Sequence, residues 1–367
     1  MILINPIRDN KTKGVCFFMK RFKMFVVFTV IVGMLSLGIA VFAQNQPSYS
    51  TAVKNIKIFY IVKSSESLYW QIVKAGAALA GKELGLTITF QEPAAESDVS
   101  RQIAIMNTAI AEHPNAIVLA PTVADGLVPG IQKAMSEGIK VILIDSAANT
   151  KDYNAFVATD NVAAGKALAK EFVELIKAKT GQATPTGDVA YMTEMAGVGS
   201  LIQRDQGFLE GLKEYGPGLK VVAHQYAQDS VGIAMQNFEN IFTAHPNLVG
   251  VFADNEVGGD GLIRAIPISG LTGKIVAVSF DSDSALIDAL KKGIVQALQV
   301  QQPWEMGYSS IFYAVNAIEG VYVPFFVNTP ANVITQANMK TPASQATLDP
   351  LTFYKSLLNE YGITPGK

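Results

Sequence analysis

Short apolar runs rich in β-branched residues recur along the chain, each followed by a longer segment with apolar positions at helical spacing. Ile56–Val62 reads as a first strand. From Ser67 to Leu84, the side chains of Trp70, Val73, Ala77 and Ala80 share one helical face. Leu86–Phe90 is a strand, and Asp98–Ala111 a helix with Val99, Ile103 and Met106 on one stripe. Strand Ala116–Ala120, helix Gly126–Ser136, strand Val141–Ile144 and helix Val162–Ala178 follow. The alternation then restarts. Strands Asp188–Met192, Leu219–Tyr226 and Val249–Ala253 alternate with helices Leu201–Tyr215, Val231–Ala244 and Gly258–Ala265. Ile275–Phe280, Ser284–Lys292 and Ile294–Gln301 complete the series. This order predicts an α/β fold with parallel sheets. Thr341–Pro350 reads as a loop and Leu351–Tyr361 as a short amphipathic helix.

An internal echo points to two similar halves. His113-Pro114-Asn115 closes a helix and opens a strand, and His245-Pro246-Asn247 does the same 132 residues later. Proline cannot continue a helix, so its place after a helix end is expected. Both histidines read as turn and packing residues.

Composition narrows the function. A length of 367 residues suggests about two domains. With 49% hydrophobic and 16% charged residues, the chain has ample material for packed cores. A net charge of −2 lacks the basic footprint of a nucleic-acid binder. The single cysteine, Cys16, excludes a disulfide framework and a cysteine zinc site, and three histidines leave little for a metal. No metal or catalytic cofactor is implied. G-x-S-x-G, HExxH and Walker motifs are missing. Gly197-Val198-Gly199-Ser200 runs into Leu201-Ile202 and does not complete G-x-G-x-x-G, which leaves a flexible strand-to-helix turn. An enzyme is not expected.

Residues 1–43 read as an export signal. Lys20, Arg21 and Lys23 form a positive region, Phe25 to Ala40 is apolar, and Val41-Phe42-Ala43 matches a processing site. Met19 opens this pattern and reads as the true start. The apolar run is nearly long enough to span a membrane, but the processing site and the polar stretch from Gln44 favour cleavage. Cleavage removes six of the 29 basic and one of the 31 acidic residues and leaves a net charge of −7. No cysteine follows the apolar run, so no lipid anchor can form there, and a soluble periplasmic product is expected.

In open α/β sheets, ligands bind beyond the carboxyl ends of the strands. The residues there are Lys63, Asp145, Thr193-Glu194, Gln228-Asp229, Asp254-Asn255, Asp281 and Gln301-Gln302. Carboxylates and carboxamides make paired hydrogen bonds with vicinal hydroxyls. Tyr69 and Trp70, beside Lys63, supply flat apolar surfaces that stack on sugar C–H faces. Polar groups converging on aromatics form a small-polyol pocket. Other roles stay open: an Asp or Asn after a strand also caps a helix, Trp70 also fits the core stripe, and Lys63 also fits an ion pair with Asp145 or Glu66.

From Asn55 to Asn338, several phrases together carry a resemblance. They are Lys63 with Leu68-Tyr69-Trp70, Val141-Ile142-Leu143-Ile144-Asp145, Ala158-Thr159-Asp160-Asn161 with Ala164-Gly165, and Gln203-Arg204-Asp205-Gln206-Gly207-Phe208. Val251-Phe252-Ala253-Asp254-Asn255, Val278-Ser279-Phe280-Asp281 and Gln301-Gln302-Pro303-Trp304-Glu305-Met306-Gly307 complete them. In their order and spacing the chain resembles periplasmic sugar-binding proteins of the ribose-binding type, which feed ABC importers and share their fold with LacI-type effector domains. The resemblance implies two Rossmann-like lobes, a type I periplasmic binding protein, joined by three crossovers near Thr159-Asp160, Gln301-Gln302 and Asn328-Thr329. It divides the chain into 54–159 plus 302–328, 160–301 plus 329–340, and a tail, 341–367. It implies a monomer that closes by a hinge on a monosaccharide or polyol and delivers it to an inner-membrane ABC permease.

The resemblance also implies Tyr69 and Trp70 as stacking residues, Ser67 as a polar contact, and Asp145, Asn255, Asp281 and Gln301 as hydroxyl binders. The pattern departs at four positions. Ser146 stands where ribose binders have arginine, and Asp229 where they have an aromatic. A second arginine aligns with Ile202, with Arg204 close by. Lys63 replaces a small polar residue and is similar to the autoinducer-binding branch. These departures point to an altered polyol, sugar acid or amino sugar. A sensory receptor that presents its ligand to a chemoreceptor or histidine kinase is the alternative function. The export signal and the lack of a helix-turn-helix argue against a transcription regulator.

Overall fold

Two six-stranded sheets carry the alternation in residues 56–365, the span that the computed structural model describes. The export segment 1–43 lies outside it. The first sheet holds β1 (Lys57–Ile61), β2 (Thr87–Gln91), β3 (Ala116–Leu119), β4 (Lys140–Ile144), β5 (Ala155–Ala158) and, much later, β11 (Phe326–Asn328). Its order is β11-β5-β4-β3-β1-β2, and all pairs are parallel. The second holds β6 (Thr186–Thr193), β7 (Gly218–Tyr226), β8 (Leu248–Ala253), β9 (Val276–Phe280), β10 (Ala297–Val300) and β12 (Asn332–Thr335). Its order, β12-β10-β9-β8-β6-β7, repeats the first, except that the edge strand β12 runs antiparallel to β10. Helices cover both faces of such sheets, so central strands are apolar throughout rather than alternating. The strands β3, β4, β5, β9 and β10 bear this out, with nearly every residue buried.

The chain passes between the sheets three times. After β5 it continues into α4 (Asn161–Thr180), which packs under the second sheet. After β10 it returns as α9 (Pro303–Ile318) against β3 and β4 of the first, and between β11 and β12 it crosses again. Asp160 starts α4 by accepting from Ala163 N, a side-chain cap on an otherwise orphaned donor.

Each lobe holds a helix pair drawn tight by two facing glycines. In the first, α1 (Leu68–Leu84) crosses α9 at Gly76 and Gly307. In the second, α4 crosses α5 (Gly199–Tyr215) at Gly165 and Gly207. A Cβ at Gly307 would collide with the carbonyl of Val73, and one at Gly207 with that of Val162, so only glycine lets these backbones approach. The crossings fix the N-terminal halves of α1 and α5, which carry Tyr69 and Arg204.

Periodicity missed β5, α9, β11 and β12. The strands have four residues or fewer apart from this context, and α9 is too apolar to show a clean stripe. The stretch read as a loop, Thr341–Pro350, is largely helical: α10 (Pro342–Leu348) begins with Thr341 as cap and proline at its first turn. Two further short helices, α11 (Pro350–Phe353) and α12 (Lys355–Glu360), make up the rest of the tail in place of the single helix expected. Leu348 is buried in the core of the second lobe, while Tyr354 stacks on Trp304 of α9, with ring centroids 4.6 Å apart.

Candidate functional site

The carboxyl ends of both sheets face one cleft, with a cavity of about 270 Å³. That lies just below the roughly 300–1,000 Å³ of drug-sized sites and suits one small ring. Three aspartates, Asp145 (φ 61°), Asp229 (φ 56°) and Asp281 (φ 66°), enter it from left-handed backbone. This region is uncommon outside glycine but tolerated by Asp, whose short side chain finds local hydrogen bonds. The same turn recurs after β4 and after β9. Asp145 N donates to Val157 O of the neighbouring strand, and Asp281 N to Gln299 O.

The first lobe supplies a buried cation. Lys63, which follows β1, is 2% exposed and pairs with Asp145 at 2.8 Å. Its Nζ also donates to Ser146 Oγ at 2.7 Å and lies 3.9 Å from Glu96. Burial alone pulls the Lys63 amine down, but Asp145 and Glu96 outweigh it and hold it above its usual value. Burial likewise pushes Asp145 up. Lys63 and Arg204, with hydrogen bonds from Lys63 and Ser146, reverse this and hold it below the usual carboxylate range. The pair is therefore charged on both sides. Tyr69 adds a hydroxyl that donates to Asp145 Oδ1 at 2.9 Å.

The second lobe supplies the other cation. Arg204 donates through Nε to Asn161 Oδ1 and through Nη1 to the Asp254 carbonyl, both at 2.9 Å. Its guanidinium lies over the Phe280 ring, 4.6 Å from the centroid, and 3.5 Å from Asp281. Held on three sides, it presents a fixed planar donor edge. Gln301 Nε2 donates to Asp281 Oδ1 at 2.6 Å. Burial raises Asp281, and Arg204 and Gln301 only partly offset this.

Ten of the eleven residues singled out in the sequence line this cavity: Lys63, Ser67, Tyr69, Trp70, Asp145, Arg204, Asp229, Asn255, Asp281 and Gln301. Ser146 does not. It sits fully buried behind the lining, where its hydroxyl bridges Lys63, Asp145 and Ser200. Ile202 points away at 53% exposure, and Arg204 occupies the cleft instead. Several open roles resolve. Lys63 pairs with Asp145 rather than Glu66. Asn255 caps α7 (Glu256–Ile268) through Gly258 N and also lines the cavity. Asp281 does not cap α8 (Ser284–Lys291), which follows it and is capped by Asp283; its carboxylate accepts instead from the backbone N–H of Glu256 at the start of α7. Trp70 is buried on the helix stripe, with its Nε1 donating to Glu96 at 2.6 Å and Lys63 over its face.

Sequence reasoning left out Glu96 and Glu256, which also line the cleft, and named Glu194 at a strand end without counting it among the ligand contacts. Glu194 follows β6 and was visible as a polar strand-end residue. Glu96 lies in the loop after β2, away from any apolar run, and no local pattern marks it. Several contacts cross between the lobes here, the Ser146–Ser200 hydroxyl pair and Ala124 N donating to Gly197 O among them. Ser67 Oγ donates to Glu256 Oε2 at 3.3 Å, and Ser97 N donates to Asp229 Oδ2 at 2.9 Å.

Comparison with known proteins places this arrangement. The periplasmic binding protein domain model matches residues 58–321. The D-apiose import binding protein of Actinobacillus succinogenes is 28% identical over 262 residues, covering 70% of this chain and 80% of its own. The ribose import binding protein of Bacillus subtilis is 25% identical, covering 79% of this chain and 91% of its own. Among solved structures, a carbohydrate transporter solute-binding protein from Agrobacterium radiobacter in complex with D-arabinose is 40% identical. It covers 82% of this chain and all of its own, with a TM-score of 0.78. An ABC transporter solute-binding protein from Agrobacterium vitis with bound D-fucose is 35% identical, covering 80% and 99%, with a TM-score of 0.75. These relatives are binding proteins of transport systems, not enzymes. The chain belongs to the periplasmic binding proteins, and within them to the sugar binders of the ribose-binding type.

Proposed function

We propose that this protein captures one monosaccharide or closely related polyol between its two lobes and delivers it to an ABC permease at the inner membrane. The observation that carries this is the convergence of Asp145, Asn255, Asp281 and Gln301 on one cavity beside Tyr69 and the guanidinium of Arg204. A ring set there meets acceptors and donors from both lobes, so binding and lobe closure are coupled. The D-arabinose and D-fucose in the Agrobacterium relatives support a ligand of this size. The sheet order supports lobes of 54–159 plus 302–328 and 160–301 plus 329–340, with 341–367 as a tail. Residues 1–43 direct export to the periplasm and are removed. Among the described residues, no helix is long and apolar enough to cross a membrane.

The test is a thermal-shift screen of the protein from Gln44, unfolded and refolded to strip carried-over ligand, against pentoses, hexoses, deoxysugars and inositols. A ligand at about 100 times its Kd stabilises the native state by roughly 2.7 kcal/mol. A hit supports sugar capture. No hit across the panel removes the carbohydrate assignment.

A further inference from the structure

The cleft holds more negative charge than its cations balance. Seven carboxylates line it against two cations. Lys63 is taken by Asp145, and Arg204 faces Asp281. Glu96 shares Lys63 only at 3.9 Å and otherwise accepts from the Trp70 indole. Asp229 accepts one backbone donor, Ser97 N. Glu194 is the sharpest case. It is 3% exposed and lines the cavity, and its carboxylate has no hydrogen bond or ion pair among the described residues.

Glu96, Glu194 and Asp229 lie close enough to repel one another, and they come from both lobes. A buried carboxylate without a partner is costly unless it takes up a proton or meets a cation. An ammonium group has three donors and no acceptor, which complements three converging carboxylates. A ligand carboxylate or phosphate at this end would add to the repulsion.

We propose, resting on the sugar-capture reading above, that this end of the cleft holds a protonated amine, so that the preferred ligand is an amine-bearing monosaccharide or cyclic polyol. Its hydroxyls meet Asp145, Asp281 and Gln301, and its ammonium meets Glu96, Glu194 and Asp229. Burial, with Glu96, Asp229 and Asp254 nearby, pushes Glu194 well above the usual carboxylate range despite Lys63, as expected of a site lacking its counter-charge.

The experiment is calorimetric titration of the refolded protein, at a pH below the amine's own pKa, with matched probes: D-galactose and D-galactosamine, D-glucose and D-glucosamine, D-mannose and D-mannosamine. The N-acetyl forms serve as uncharged controls, and D-arabinose and D-fucose test the sugar reading alone. A charge-assisted bond is about twice as strong as a neutral one, so at least one amine should bind about tenfold tighter than its hydroxyl partner. Glu194→Gln and, separately, Asp229→Asn should shrink that ratio. If neutral sugars bind and every amine binds more weakly, the inference is overturned while sugar capture stands. An amine preference that survives in both variants overturns the assignment to these residues. If no sugar of either kind binds, sugar capture falls and the inference with it.

Discussion

The two lobes are built alike and furnished differently. Each has the same strand order, a left-handed aspartate after the fourth strand, and a helix pair drawn together by two glycines. At the equivalent position after the first strand, however, the first lobe carries Lys63 and the second carries Glu194. Asp145 consequently sits in a tight ion pair, with its carboxyl held low. Asp281 is 3.5 Å from its cation and held high. Scaffold geometry is shared between the lobes, and charge is what distinguishes them.

Removing the cation from the tighter side should have the largest effect. Lys63→Met leaves Asp145 buried without its counter-ion, which costs about 3–5 kcal/mol in typical buried pairs. Urea denaturation reads this, and a loss below about 1 kcal/mol, the scale of an exposed pair, would break the contrast between the lobes. Next come the shared crossings. Gly207→Ala and Gly307→Ala should each destabilise by about 1–3 kcal/mol, the usual cost of overpacking. Tolerance of one but not the other would show that the lobes differ in scaffold as well as in charge.

The paired aspartates come third. With a bound sugar identified, Asp145→Ala and Asp281→Ala should each weaken binding by about 1–3 kcal/mol, because each leaves buried groups unpaired. An effect confined to one lobe, measured calorimetrically, would mean that the ligand rests on that lobe alone. The last is a pH dependence, spread over more than three pH units. Burial, with Asp281 and Asp283 nearby, lifts Glu256 from 4.5 to about 8. A group whose folded pKa is raised contributes stability below its unfolded value and loses it as the pH rises through the folded one. Stability of the ligand-free protein should therefore decline between pH 4.5 and about 8, and Glu256→Gln should flatten the upper part of that decline. A rise in stability across the window, from urea melts at several pH values, would contradict the assignment.

Most of the cleft was legible because one rule applied many times. The residue after each apolar strand of an open sheet faces the binding crevice, and Lys63, Asp145, Asn255, Asp281 and Gln301 all follow from it. Glu96 escaped because it sits in a loop and is brought in by a long-range bond from Trp70, which periodicity does not encode. Ser146 was placed one shell too close, because the chain turns at Asp145 and sends the next side chain behind it. The helix after Thr341 had local signals, a threonine cap and a proline in the first turn, but its length of seven residues was too short for a periodic stripe.

The chain has two tryptophans, and they stand in different worlds. Trp70 lies in the cleft under the Lys63 ammonium, bonded to a carboxylate that lines the cavity. Trp304 lies at the start of α9, stacked on Tyr354 of the tail. The protein thus carries two built-in optical reporters. Emission from a variant that keeps only Trp70 follows the occupant of the cleft, and emission from one that keeps only Trp304 follows the grip of the tail on the first lobe.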